Sequence, residues 1–316
     1  MKTGVILLNM GGPDSVEAIQ PFLENLFSDP EILRFPLSSL LQKPLARFIS
    51  KKRAVKVAPL YEAMGGESPQ CRITAEQVRL LGEELGDNYR VVVAMRYWNP
   101  RADAAVREVK EWGAERLVVL PLYPHYSRAT TGTSLTDLEA SLKAAGLSSL
   151  PRVTVTSWED FPPYVEALAE TLKETLKEGE GTTILFSAHG LPERLIKEGD
   201  PYLEQIERTV AAVMEHFSGV PHRLSFQSRT GPVKWLEPYT DEMIKTLAGE
   251  GVEELTVLAV SFVSDHIETL QEIDVEYRDL ALEAGIKSFR RAPALNVRPT
   301  FIGALAKRVE AAVAEF

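Results

Sequence analysis

Short, continuous apolar runs alternate along the chain with segments whose apolar residues recur at helical spacing. Eight short apolar runs rich in branched residues show little alternation of apolar and polar positions, which is typical of parallel strands covered on both faces. They are Thr3–Asn9, Arg90–Met95, Arg116–Leu120, Arg152–Thr156, Thr182–Ser187, Arg223–Gln227, Leu255–Val260 and Ile286–Arg290. Segments with helical period follow these runs, at Thr74–Leu85, Ala102–Trp112, Ser134–Ala145, Pro163–Glu178, Pro201–His216, Trp235–Gly249, Ser264–Ala284 and Gly303–Phe316. This order predicts an α/β protein with parallel sheets.

The same pattern occurs in both halves of the chain. Glycine, proline and polar residues follow the strands at corresponding points, at 9–12, 95–100 and 120–126 and again at 187–192, 226–232 and 260–266. We therefore predict two similar α/β lobes, 1–150 and 151–297. The strand ends would face a shared cleft, where ligands commonly bind. The last segment, 298–316, is predicted to form a helix that packs back on the first lobe.

Composition narrows the class of protein. The chain has 316 residues, 45% of them apolar, and a net charge of -10. No basic stripe is large enough to neutralise phosphates, so a nucleic-acid partner is not expected. Cys71 is the only cysteine, which excludes an internal disulfide and a thiolate metal site. The short apolar run at the N-terminus does not predict a signal peptide, and no run is long enough to span a membrane. The chain is expected to be cytoplasmic.

The segment after the seventh predicted strand carries a row of acids. Glu268, Glu272 and Glu276 are four residues apart, and each step on an α-helix drifts by only ~40°, so the three carboxylates line one side. A solvated acidic face is one interpretation. The alternative is that the row carries metal ions or protons, because Glu268 lies in the first turn, nearest the end of the sheet.

His189 is the second candidate for chemistry. It follows the apolar run 184–188 and precedes Gly190, so a turn at a strand end would present an imidazole that exchanges protons near neutral pH. A structural histidine would fit the same segment. Oxygen and nitrogen donors without thiolate bind Fe²⁺ modestly, which suits a site that passes its metal on.

Several motifs in order resemble the ferrochelatase family, which inserts ferrous iron into a porphyrin to make haem. In the second half they are Phe186–Pro192, Phe226–Thr240 and Phe262–Tyr277. In the first half they are Leu8–Pro13, Gly65–Pro69, Met95–Tyr97 and Tyr123–Ser127, with Thr131–Ser134 after them. The resemblance covers nearly the whole chain. It implies two Rossmann-like chelatase lobes, each a parallel sheet flanked by helices, with the active-site cleft between them.

The resemblance also implies roles for particular residues. It assigns His189 and Glu268 to catalysis and to contact with the metal, and Glu272 and Glu276 to a proton or metal relay on a helix widened to the π type. The residues that it implies along the porphyrin pocket are Met10, Arg96, Tyr97 and Trp235.

Three further expectations follow from the family. The segment 32–41 matches an apolar lip over the porphyrin pocket, which allows peripheral contact with a membrane. Fe²⁺ would be a substrate, and no cofactor would be bound permanently. The [2Fe–2S] cluster of some members needs several cysteines, whereas this chain has only Cys71, and Arg128 stands where one cluster cysteine could lie.

The expected reaction is insertion of Fe²⁺ into protoporphyrin IX with release of two protons, the last step of haem biosynthesis. Coproporphyrin III is an alternative substrate. The fold would also suit a cobalt chelatase that acts on a corrin precursor, and the cleft would suit a non-catalytic haem or porphyrin carrier. The sequence predicts no oligomeric state.

Overall fold

A computed structural model describes residues 1–33, 39–176 and 181–316. Within them the chain divides into two compact units. The N-terminal lobe contains Met1–Tyr123, Ser127–Thr156 and Leu305–Phe316, and the C-terminal lobe contains Pro124–Tyr126 and Ser157–Ala304. The N-terminal lobe thus extends a few residues beyond 150 and includes the end of the last helix.

The sheet of the N-terminal lobe has four parallel strands in the order β2-β1-β3-β4. The strands are β1 (Thr3–Asn9), β2 (Tyr89–Met95), β3 (Arg116–Pro121) and β4 (Arg152–Thr154). The α-helices described before β4 are α1 (Ile19–Phe27), α2 (Ser39–Ala63), α3 (Pro69–Leu85), α4 (Ala102–Trp112) and α5 (Thr133–Ala144), and Arg128–Gly132 forms a π-helical turn before α5. All of β1 is buried, because it is paired on both sides and covered by helices.

Helix α4 shows why the segments between strands become helices. Ala105, Val106 and Val109 recur at helical spacing and are buried, and they pack in one apolar cluster with Ile6 and Leu8 of β1. The helix ends at Gly113, whose φ of 79° lies in the left-handed region, which favours glycine. Burial of this face against the sheet supplies most of the driving force for such a helix.

The C-terminal lobe repeats this topology with four parallel strands in the order β6-β5-β7-β8. The strands are β5 (Thr182–His189), β6 (His222–Gln227), β7 (Glu254–Ala259) and β8 (Ser288–Arg291). Its helices are α6 (Pro162–Thr175), α7 (Glu193–Lys197), α8 (Tyr202–Met214), α9 (Thr240–Gly249), the π-helix Glu268–Tyr277, α10 (Arg278–Ala284) and the beginning of α11 (Pro299–Val313). The prediction of two α/β lobes, each built on a parallel sheet, is confirmed.

Strand register places the candidate residues of the C-terminal lobe near one another. His189 is paired in register with Gln227, the last residue of β6. The N–H of Val260, just after β7, donates to the carbonyl of Ser187 in β5. The carboxyl ends of β5, β6 and β7 therefore lie side by side, and the segment after β7 enters the π-helix. No described helix has both the length and the hydropathy that a membrane-spanning segment requires.

Candidate active site

His189 is the last residue of β5, and its backbone is fixed from two directions. Its N–H donates to Ser261 Oγ at 2.9 Å, and its carbonyl accepts a hydrogen bond from the Tyr202 hydroxyl at 2.9 Å. The next residue, Gly190, lies so close to β6 that an added Cβ would be 2.9 Å from the carbonyl oxygen of Gln227. The close approach requires glycine there, and the histidine is held at the carboxyl end of the sheet.

The imidazole of His189 is hydrogen-bonded to the first carboxylate of the π-helix. Its Nδ1 lies 2.8 Å from Glu268 Oε2. An ionised carboxylate only accepts hydrogen bonds, so in the neutral ring Nδ1 carries the hydrogen and Nε2 the lone pair. Among the described residues Nε2 has no hydrogen-bond partner, and the side chain is 35% exposed. The free nitrogen can therefore receive a proton from a ligand.

The two partners shift each other's proton affinity. Burial alone would lower the pKa of the His189 imidazole, but the charge and hydrogen bond of Glu268 outweigh it and raise that pKa above its ordinary value. Burial alone would raise the pKa of the Glu268 carboxyl, but His189, His266 and Ser228 hold it well below its ordinary range. The pair therefore favours an imidazolium beside a carboxylate, which makes His189 a stronger base than a free histidine.

Glu268 and Glu272 both reach the residue that follows β6. The wider π turn, with hydrogen bonds from i to i+5, nearly aligns residues four apart, and the expected π widening of this helix is confirmed. Ser228 Oγ lies 2.7 Å from Glu268 Oε2 and 2.5 Å from Glu272 Oε2. Gln227 Nε2 is farther from the same two oxygens, at 3.5 and 3.4 Å.

Glu272 is more buried than an ordinary surface acid. Its Oε1 accepts from the backbone N–H of Ser228 at 2.9 Å and from the Tyr277 hydroxyl at 2.7 Å. Burial and the charge of Glu268 raise the pKa of the Glu272 carboxyl in spite of these bonds. Glu272 therefore takes up a proton more readily than Glu268 does.

Glu276 differs from the other two acids of the row. Its side chain is exposed and makes no hydrogen bond or ion pair with any residue that the structure describes. It lies at the outer end of a row whose first two members are partly buried.

Two aromatic rings flank the imidazole. The ring centroids of Trp235 and Phe262 lie 6.4 and 6.1 Å from that of His189, both edge-on. Trp235 Nε1 donates to the Thr230 carbonyl at 2.8 Å, which fixes the indole. These rings place apolar surface beside the imidazole, as a large apolar ligand requires.

The turn before the π-helix is anchored to the segment after β8. The N–H of Asp265 donates to Asn296 Oδ1 at 2.9 Å, and Asn296 Nδ2 donates to Asp265 Oδ2 at 2.7 Å. Arg291 Nη1 lies 3.0 Å from Asp265 Oδ1. His266 follows, with Nδ1 3.1 Å from the Ser264 carbonyl and Nε2 3.9 Å from Glu268 Oε1. These contacts fix where the π-helix begins.

Two predicted porphyrin contacts of the N-terminal lobe, Arg96 and Tyr97, bind a buried acid, Asp29. Arg96 Nη2 donates to Asp29 Oδ2 at 2.6 Å, and the Tyr97 hydroxyl donates to the same oxygen at 3.0 Å. The Tyr97 ring is 1% exposed, whereas Met10 is partly exposed and accepts from the Tyr97 N–H through its carbonyl. Their contact with porphyrin stays a prediction. In the lobe itself, Tyr97 belongs to the core.

Metal donors are sparse in the part of the chain that the structure describes. No group of three His, Cys, Asp or Glu side chains in it is arranged to hold a metal ion. His189 Nε2 and the oxygens of Glu268 were predicted to contact the metal, and this contact stays a prediction. The predicted lip 32–41 falls partly on residues 34–38, which lie outside the described residues.

Comparison with known proteins decides the family. The family model described as ferrochelatase matches residues 2–313. The chain belongs to the ferrochelatase family. It is 49% identical to the ferrochelatase of Geotalea daltonii over 317 residues, with 99% of each chain covered. It is 50% identical to that of Geobacter metallireducens over 314 residues, with 98% of each covered. The ferrochelatase of Aquifex aeolicus is 48% identical over 305 residues, with 96% of this chain and 97% of the relative covered.

Solved structures support the chelatase fold of this family member. The structure of SirB from Bacillus subtilis with Fe³⁺ matches with a TM-score of 0.59 at 12% identity, covering 99% of this chain and 96% of that one. The sirohydrochlorin chelatase SirB of Bacillus subtilis subspecies spizizenii, in complex with cobalt, matches with a TM-score of 0.59 at 11% identity, covering 98% and 94%. At this identity the likeness shows the two-lobe fold alone.

Sequence reasoning missed several residues that hold the site together. Ser228, Ser261 and Tyr202 were not singled out, although they contact Glu268 or the backbone of His189. Ser228 and Ser261 each follow a predicted strand closely, so their position offered a signal. Tyr202 lies at the start of a helix and gave none.

Proposed function

We propose that this ferrochelatase-family enzyme inserts Fe²⁺ into protoporphyrin IX, forming protohaem and releasing two protons, as the last step of haem biosynthesis. Among the observations on the site, one carries the proposal. His189 has one ring nitrogen bound to a carboxylate at 2.8 Å and the other free. This arrangement suits a base that must take a proton from an apolar ligand, because the carboxylate both orients the ring and stabilises the imidazolium.

The reaction requires each pyrrole N–H to lose a proton as the metal approaches. We propose that Nε2 of His189 accepts one of these protons. The N–H electron pair stays on the porphyrin nitrogen and becomes available to the iron. Bending the macrocycle would direct the N–H outward, with the strain supplied by contacts at the ring periphery. In this proposal Met10, Arg96, Tyr97 and Trp235 supply peripheral contacts.

The acids would complete the proton path. Glu268 stabilises the charged His189, and Glu272 and Glu276 carry protons or iron along the π-helix. His189, through its free Nε2, and Glu268, through its carboxylate, would also contact the incoming iron. The same nitrogen cannot hold iron and a proton at once, so metal contact and proton acceptance would occur in succession.

The sequence bears on the cofactors that the protein can hold and on its location in the cell. A four-cysteine cluster cannot form with Cys71 as the only cysteine, so we propose that side chains alone perform the chemistry and iron is a substrate. We place the enzyme in the cytoplasm, with peripheral membrane contact through 32–41 as a further expectation.

The substrate is tested by anaerobic turnover of the purified protein with Fe²⁺ and two porphyrins. We expect kcat/KM to be higher for protoporphyrin IX than for coproporphyrin III, measured from the change in the porphyrin absorption spectrum. The reverse order would assign the enzyme to coproporphyrin III. Binding of porphyrin and haem without accelerated insertion of Fe²⁺ or Zn²⁺ would leave the carrier function and exclude the chelatase.

Replacement of the outermost acid is expected to have a small effect. Glu276→Gln should lower kcat for zinc insertion by less than about 10-fold, because the side chain is exposed and makes no hydrogen bond with the described residues. The control is Glu283→Gln, at an exposed acid of α10. A loss of two orders of magnitude in the Glu276 variant alone would contradict this and place Glu276 among the main proton carriers.

A further inference from the structure

The main chain of His189 extends past the end of the neighbouring strand β7. That strand ends at Ala259, which is in register with Ser187. The N–H of Val260 continues the pairing by one residue and donates to the Ser187 carbonyl at 3.0 Å, whereas the N–H of Phe262 turns back to the Ala259 carbonyl at 3.3 Å. Main-chain groups two residues apart on a strand face the same neighbour. The N–H and carbonyl of His189 therefore face the side that β7 has just left.

Two hydroxyl groups take the place of the backbone partners that a longer β7 would supply. Ser261 Oγ accepts from the N–H of His189 at 2.9 Å, and the Tyr202 hydroxyl donates to the His189 carbonyl at 2.9 Å. We propose that Tyr202 is a positioning residue for metal insertion, which keeps the imidazole of His189 directed at Glu268 by holding that carbonyl. The proposal rests on the proposed function, and it gives Tyr202 no contact with porphyrin or metal.

The position of the imidazole depends on this main-chain contact. His189 is the last residue of β5 and is paired on its other side with Gln227 of β6. Without the donor from Tyr202, the end of β5 would be free to tilt about the pairing with β6, and the bond of 2.8 Å from His189 Nδ1 to Glu268 would lengthen. A displacement on the order of 1 Å in a catalytic group can cost about 10²-fold in rate.

Tyr202 is itself held firmly within the C-terminal lobe. It is buried and is the first residue of α8. Its N–H donates to Asp200 Oδ1 at 3.1 Å, so the carboxylate of a second buried residue satisfies a free donor at the beginning of the helix. The main chain of Tyr202 is therefore fixed, and its ring extends from a rigid helix to the end of β5.

The ring of Tyr202 packs against a buried histidine, His125. The ring centroids lie 6.0 Å apart with an interplanar angle of 78°, an edge-on arrangement that aromatic pairs favour. His125 Nε2 lies 2.8 Å from Thr209 Oγ1. The Thr209 hydroxyl donates to the Glu159 carbonyl at 2.7 Å, so its oxygen accepts from Nε2–H of the histidine. Burial lowers the pKa of His125 to about 3, and the ring beside Tyr202 stays neutral and fixed.

The test removes one hydroxyl and keeps the aromatic ring. We expect Tyr202→Phe to lower kcat for zinc insertion about 10- to 100-fold, with KM for porphyrin changed less than about 2-fold, because only the base is displaced. Tyr164→Phe is the matched control. The Tyr164 hydroxyl is buried in the same lobe and donates to the Val260 carbonyl at 3.3 Å, and its removal should keep kcat within about 2-fold of wild type.

Two further measurements separate positioning from a general loss of stability. In a His189→Ala background, Tyr202→Phe should change the residual rate less than about 2-fold, because the imidazole that Tyr202 positions is absent. In ¹⁵N-histidine NMR, the ring signals of His189 should be displaced in Tyr202→Phe and unchanged in Tyr164→Phe.

Four results would overturn the role of Tyr202. They are wild-type kcat in Tyr202→Phe, a loss confined to KM, equal losses of kcat in the two phenylalanine variants, and losses that multiply in the His189→Ala background. All four are measured against a wild-type protein that metallates porphyrin. A wild-type protein that does not metallate porphyrin would refute the proposed function itself.

Discussion

Replacement of His189 by alanine is expected to lower the rate of metal insertion by about two to four orders of magnitude while leaving porphyrin binding within a few-fold of wild type. The imidazole supplies the proton acceptor, and general-base contributions amount to ~10²–10⁴-fold. No other described side chain pairs a free ring nitrogen with a carboxylate at the end of this sheet. His266 does not replace it, because burial lowers the pKa of its ring and makes it a weaker base.

This prediction is measured by single-turnover zinc insertion together with porphyrin binding by fluorescence quenching. His216→Ala is the control, since His216 is an exposed histidine of the same lobe and should keep the wild-type rate. Insertion at the wild-type rate in His189→Ala would remove the histidine from the mechanism. Loss of porphyrin binding without loss of the insertion rate would show that His189 only contacts the porphyrin.

Replacement of Glu268 by glutamine is expected to lower kcat by ~10²–10⁴-fold. Glutamine keeps the shape but offers an amide group to Nδ1 of His189. If the NH₂ faces the ring, Nδ1 must accept, so the imidazole hydrogen moves to Nε2 and blocks the base. If the amide oxygen faces the ring, the tautomer is retained but the charge that stabilises the imidazolium is gone.

The Glu268→Gln substitution should also change how the rate depends on pH, in a direction that can be stated. His189 accepts a proton only when Nε2 is unprotonated, so the rate falls as pH falls through the pKa of the imidazole. In the wild type, Glu268 raises the pKa of the imidazole above its ordinary value of 6.5. The fall of the rate on the acid side therefore lies above pH 6.5. In Glu268→Gln the raising charge is absent, so the acid limb should move to lower pH as the maximal rate falls. Glu283→Gln should shift neither, and an acid limb unmoved in Glu268→Gln would show that another group titrates.

The strands could be predicted from sequence because burial on both faces leaves a plain apolar run. Each predicted strand corresponds to an observed one, with ends that differ by a few residues. His189 was expected just beyond β5 and instead forms its last residue, since its backbone still pairs with β6. The same strand order occurs in both lobes, in keeping with the repeat of turn residues along the sequence.

The helices were harder to predict where local signals conflict. α1 and α2 were not predicted, and α2 contains Pro44 and Pro59, which normally interrupt a helix. The helix predicted at Trp235–Gly249 begins only at Thr240, because Trp235 instead bridges to Pro192. The helix predicted from Ser264 begins as a π-helix at Glu268, after a turn tied to residues far along the chain.

Some residues of the candidate site could also be predicted from the sequence, and others could not. His189 could be selected because it stands at the end of an apolar strand, and Glu268 because it lies in the first turn of the helix after another. The structure joins their side chains. Ser228 also follows a predicted strand, but its contacts with Glu268 and Glu272 could not be predicted, because they depend on the register of β6 beside β5 and on a left-handed backbone. Glu276 was grouped with Glu268 by its spacing and by the family resemblance, and the structure leaves it at the surface.

The central claim is that His189 keeps Nε2 free because Glu268 holds the hydrogen on Nδ1. The chain has five histidines, so ¹⁵N-histidine NMR of the wild type can be assigned by comparison with His189→Ala. We predict that neutral His189 is the Nδ1–H tautomer and that it titrates above 6.5, the ordinary value for the imidazole. An Nε2–H tautomer, or titration below that value, would contradict the account.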